Sequence, residues 1–107
     1  MPDRNQALAM LLTQLKELEA ILKRAESDLN TVGGSERVAT WKARTIPLLA
    51  AHLGQQDAQR FSDTRPGPSF TNDLLEELSD EVETYRGFLL SLAQQLKKHG
   101  DTIVGPA

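Results

Sequence analysis

The chain has 107 residues, enough for one domain of ordinary size and too few for a second independent core. Twelve Lys and Arg against fifteen Asp and Glu give a net charge of −3, the wrong sign for a protein held on nucleic acid or anionic lipid mainly by charge. The absence of cysteine excludes disulfides, thiolate catalysis, iron–sulfur clusters and cysteine-based zinc sites, while 39% apolar and 25% charged residues fit a globular chain.

Leu8, Leu11, Leu15, Leu18, Leu22, Ala25 and Leu29 step by three and four, with Gln14, Lys16, Glu17, Glu19, Lys23, Arg24 and Glu26 between them. This spacing predicts a long amphipathic helix. Asp3 is placed to cap its start, and Asn30-Thr31-Val32-Gly33-Gly34 supplies residues that end it. The apolar run from Ala7 to Leu12 is broken by Thr13 and Gln14 and followed by charges, so it is no secretory signal. No run approaches the ~20 apolar residues of a membrane span, and a soluble, cytoplasmic chain with no membrane or nucleic-acid partner is expected.

Ser35 opens a second helical segment with Val38, Trp41, Thr45, Leu48 and Leu49 on one side, ending at Leu53-Gly54. Pro47 interrupts it. Lacking an N–H and colliding with the carbonyl four residues back, it predicts either a kink or a break with Pro47 in the first turn of a new helix. Asp57 to Phe61 reads as a short helical piece, and residues 62–69, with Pro66-Gly67-Pro68, as a loop.

Leu75, Leu78, Val82, Tyr85, Leu89, Leu92 and Leu96 then form a second long seam, widened by Leu74 and Phe88. Thr71, Asn72 or Asp73 is positioned to cap it, Asp73 with Glu76 at the reciprocal spacing, and Lys97-Lys98-His99-Gly100 resembles a glycine stop preceded by cations.

These elements predict an all-α fold: an elongated three-helix up-down-up bundle with a short extra helix before a Pro/Gly loop. Residues 1–100 form a single helical domain, and 101–107 a C-terminal tail or the start of a further domain. Long helices of roughly 40 Å exceed the ~13 Å radius of gyration of a compact domain of this length. The shorter middle helix then covers neither seam fully, which leaves apolar surface for another chain. Leu8, Leu11, Leu15, Leu89, Leu92 and Leu96 are the candidate interface, serving a homo-oligomer such as a dimer or a partner protein.

Chemistry is sparse. The acidic run Asp73, Glu76, Glu77, Asp80, Glu81 and Glu83 reads first as a solvated face favoured at a helix start, then as a surface for a basic partner, and last as a metal-binding face. Gly33-Gly34-Ser35 has no Walker-type lysine after it and no strand before it, so a helix-ending turn explains the glycines. His52 and His99 are too far apart in sequence to suggest a metal site, and no strained turn singles out a serine. No catalytic residue, metal or cofactor is expected, and the chain reads as non-enzymatic. Trp41, Lys42 and Arg44 are an alternative ligand-binding set, since an aromatic beside cations holds a phosphate or a nucleotide base. The competing reading makes Trp41 a core anchor.

Two resemblances bear on function. Glu77-Leu78-Ser79-Asp80 is similar to the second half of the carboxylate motif of all-α nucleotide pyrophosphohydrolases, in which paired acids on two facing helices hold magnesium. The first half is missing, because Glu17 is followed three residues on by Ala20 and Glu19 by Leu22. Trp41-Lys42-x-Arg44-Thr45-x-x-Leu48-Leu49-x-x-x-Leu53-Gly54 with Phe61 resembles small helical domains at the front of bacterial defence and stress proteins, including predicted nucleotide-binding proteins with a TIR-like domain. That resemblance implies packing roles for the Trp, Leu and Phe positions, and a sensor or assembly role for the domain. These 107 residues include no effector domain, so an isolated fragment, a stand-alone adaptor and an unrelated chain all stay open as expectations.

Overall fold

The computed structural model describes residues 4–67 and 73–104, with the backbone alone over 99–104. Four helices follow in order: α1 (Arg4–Asp28), α2 (Thr31–Leu53), α3 (Gln55–Asp63) and α4 (Leu74–Val104), with no strand among the described residues. The body is a rod of 53 × 23 × 22 Å. No described helix is long and apolar enough to cross a membrane.

Helix boundaries follow from local chemistry, in places differently from expectation. The Asp3 cap lies outside the described residues. α1 ends at Asp28 because Leu29 turns into the left-handed region at φ 56°. Asp28 Oδ1 then accepts from Asn30 N–H, and Asn30 Oδ1 accepts from Gly33 N–H at 2.9 Å, capping a helix that starts at once. Thus Gly33 and Gly34 open α2 rather than close α1, and the second helix begins at Thr31, not Ser35.

Pro47 does not break α2, which is continuous through it. The proline ring is exposed, while Trp41, Thr45 and Leu49 on the opposite face are fully buried and hold the helix across the missing hydrogen bond.

Gly54 both ends α2 and starts α3. At φ 108° and ψ 165° it occupies a region essentially reserved for glycine, and it reverses the chain in one residue. The short helix expected around Asp57 to Phe61 is α3. Of the three candidate caps for α4, Asp73 serves: its Oδ1 accepts from Leu75 N–H at 2.9 Å and Glu76 N–H at 3.3 Å, while Thr71 and Asn72 lie outside the described residues. Gly100 does not stop α4, whose backbone stays helical to Val104.

Side-chain pairings fix the helix directions. Trp41 and Thr45 reach Gln14, Arg44 reaches Glu17, and Gly34 abuts Ala25, so α1 and α2 are antiparallel. Arg86 meets Glu19, and Leu78 lies beside Gly34 and hence Ala25, so α1 and α4 are antiparallel too. α2 and α4 therefore run in the same direction, with Gly34 opposite Leu78 and Trp41 opposite Tyr85. This corrects the up-down-up expectation for the three long helices. α3 runs back along α2, so the topology is up-down-up-down with a stunted third member.

The core follows the seams. Leu11, Leu15, Leu18, Ala25, Val38, Trp41, Leu49, Phe61, Leu78, Val82, Tyr85, Leu89 and Leu92 are buried together. Because α1 packs against both α2 and α4, its buried arc is wider than one seam and adds Ala7, Met10 and Gln14. Leu29 and Leu74, counted into the seams by spacing, are instead 76% and 59% exposed. Leu29 sits beyond the last turn of α1, and Leu74 is the first residue of α4.

Candidate functional site

The leucines expected to form an interface are mostly interior. Leu11, Leu15, Leu89 and Leu92 are buried within the single chain, and Leu8 and Leu96 are half-buried against the same core. Antiparallel pairing of α1 with α4 closes the two seams on each other, which removes Leu11, Leu15, Leu89 and Leu92 as a free surface.

Trp41, Lys42 and Arg44 likewise do not share a cleft. Trp41 is fully buried, its indole N–H donates to the Gln14 carbonyl at 3.0 Å, and its ring meets Phe61 edge-on with centroids 5.8 Å apart. This is the core-anchor reading. Arg44 points along α1 to Glu17 at 3.5 Å.

Lys42 points the other way, over the Tyr85 ring at 4.6 Å from its centroid, and its Nζ donates to the Thr64 carbonyl at 2.7 Å. Thr64 follows the last turn of α3, so the ammonium sits where that helix's dipole favours a cation. Burial and neighbouring Arg65 lower the Lys42 pKa, opposed by Glu81 and Asp63. The lysine thereby latches the end of α3 to α2 and α4.

α3 has nine residues, roughly 13 Å of helix beside the roughly 34 Å of α2. Its Phe61 fills the lower half of the α2–α4 interval, against Trp41, Tyr85 and Phe88. Above Lys42 α3 does not reach into that interval. A groove of about 480 Å³ remains there, with Val32, Ala39, Leu74 and Leu78 on its apolar lining and Glu36, Glu77 and Glu81 among its polar residues. It continues downward into a shallower hollow through the shared residues Ala39 and Glu81, as far as Lys42 and Arg65.

Two properties set this groove apart. Val32 and Leu74, one from each wall, are 66% and 59% exposed although both are large and apolar. Its acids also stand outside the ion pairs of the described residues, which join Arg24 to Asp28, Arg44 to Glu17, Arg60 to Asp57, and Arg86 to Glu19 and Glu83. None involves Glu36, Glu77 or Glu81. Burial pushes the Glu81 carboxyl above the usual carboxylate range, Lys42 draws it back, and Glu77 adds to the rise.

Among the described residues, no three His, Asp or Glu side chains converge as a metal site would require, and Glu77 lies on the groove. Apolar spacing does not single out Val32, Glu36 and Ala39, because in α2 it marks the face that packs on α1. The available signal was length: a short helix returning beside a long one leaves part of its neighbour uncovered. Compared with family models, with curated proteins and with solved structures, the chain matches none.

Proposed function

We propose that this chain is a non-enzymatic helical interaction module, and that its contact surface is the upper α2–α4 groove rather than the leucine seams. The observation that carries this reading is the pair Val32 and Leu74, both more than half exposed on opposite walls of one groove. Large apolar residues clustered around a concavity and rimmed by charge mark contact sites. Leu29, only three residues before Val32, adds to the case, since it holds a left-handed backbone with its side chain in solvent. A sensor or adaptor role in bacterial defence is what the resemblance over Trp41 to Phe61 implies for such a module.

The test is photo-crosslinking with the reactive residue placed at Val32 and, separately, at exposed Gln94 on α4. A defined adduct at Val32 that is absent at Gln94 and abolished by Leu74→Glu is the expected result. Equal labelling at both positions, or none at either, overturns the proposal.

A further inference from the structure

We infer that the groove receives one amphipathic helix from a partner protein, apolar on the face that enters and lysine- or arginine-rich along its flanks. This rests on the interaction reading above and specifies the chemistry of the occupant.

The shape argument comes first. In an up-down-up-down arrangement each long helix is covered by two neighbours, and the third position here is occupied over only nine residues. The stretch of α2 that α3 does not reach, from Thr31 to Lys42, amounts to about three turns. A helix laid between Val32 and Leu74 extends the packing that Phe61 begins lower down, and helix-in-groove recognition uses anchors of this spacing.

Charge selects the class of helix. Glu36 on α2 and Glu77 and Glu81 on α4 stand on both sides of the apolar lining without an ion-pair partner within 4.0 Å. At the lower end Lys42 donates to the Thr64 carbonyl and Arg65 to the Ser62 and Thr64 carbonyls, while the Lys42 charge already offsets Glu81, which leaves Glu36 and Glu77 as the acids for an incoming cation. Flanking cations on an incoming helix meet unspent carboxylates, whereas flanking acids meet repulsion. A second copy docked groove to groove opposes the same acids to themselves, which disfavours self-association through this face.

The experiment uses the full chain and two fluorescein-labelled synthetic helices of about 18 residues with the same leucine stripe, one flanked by lysine and the other by glutamate. We expect the lysine helix to bind about tenfold more tightly than its glutamate twin, with the preference shrinking as salt rises. Val32→Glu with Leu74→Glu should abolish binding at unchanged helicity, which is plausible to measure because both side chains are exposed. Glu36→Lys with Glu77→Lys should reverse the preference.

Equal affinity for the two helices overturns the charge assignment and leaves the groove reading standing. Binding of neither helix overturns the inference, and an empty crosslink at Val32 then removes the groove reading with it. A concentration-dependent doubling of mass that Val32→Glu abolishes identifies a second copy as the occupant and overturns the partner helix.

Discussion

The indole N–H of Trp41 donates to the backbone carbonyl of Gln14 at 3.0 Å, in the middle of α1 and fully inside the protein. That carbonyl keeps its own intrahelical partner, so the bond is an added restraint on how α1 and α2 register. Trp41→Phe removes the donor and part of the ring volume without stranding an acceptor. A loss of about 2 kcal/mol in unfolding free energy is expected by denaturant titration, against about 3–5 kcal/mol for Trp41→Ala.

One turn further along α2, the Thr45 hydroxyl lies 2.9 Å from Gln14 Oε1 and 2.8 Å from the Trp41 carbonyl, and both Thr45 and Gln14 are buried. Thr45→Val leaves the Gln14 amide buried without this partner and should cost about 1–3 kcal/mol. The double variant Gln14→Leu with Thr45→Val should be less destabilised than the sum of the single changes. Additivity in that double-mutant cycle would show that the two side chains do not depend on each other.

Gly34 marks the closest approach of three helices, since a methyl there would come within 2.8 Å of Leu78 Cδ2 and 3.0 Å of Ala25 Cβ. Gly34→Val should destabilise by about 1–3 kcal/mol. Gly87, in the interior of α4, has nothing within 4 Å of the same position. Gly87→Ala should therefore stabilise by about 0.5–1 kcal/mol through helix propensity alone, and thermal unfolding of the two variants should move in opposite directions.

Leu29 carries a left-handed backbone that glycine adopts without penalty, and its exposed side chain contributes little to the core. Leu29→Gly should raise stability by about 0.5–1 kcal/mol in chemical denaturation. A loss of stability instead would mean that the leucine is held by contacts that outweigh its strain.

The raised pKa of Glu81 gives a pH dependence of definite sign. Chiefly because of burial, the folded protein holds this proton more tightly than the unfolded chain, whose value is near 4.5. The corresponding stability is complete below about 4.5 and is lost as pH rises through the higher folded value. Glu81→Gln should thus be more stable than wild type at pH 7, by about 0.5 kcal/mol or less given partial exposure. The difference should close as both proteins are taken toward pH 4, where paired denaturation curves would detect any remaining gap.

The helices and most of the core were legible in the residues. Leu11, Leu15, Leu18, Val82, Tyr85, Leu89 and Leu92 recur at helical spacing, which places them on one side of a helix whatever the helix meets. Trp41, Thr45 and Leu49 also share a buried stripe, and a nine-residue helix emerges between Gly54 and the Pro66-Gly67 turn.

Helix direction and the position of the open surface were not legible, because periodicity says which side of a helix is apolar but not which neighbour covers it. Gly54 reverses the chain abruptly, and α3 then returns only part of the way along α2. α4 starts again at the end where α2 began, so it runs parallel to α2 and antiparallel to α1. The leucine seams consequently close on each other, while Val32 and Leu74, unremarkable in sequence, face an interval that the short third helix does not fill.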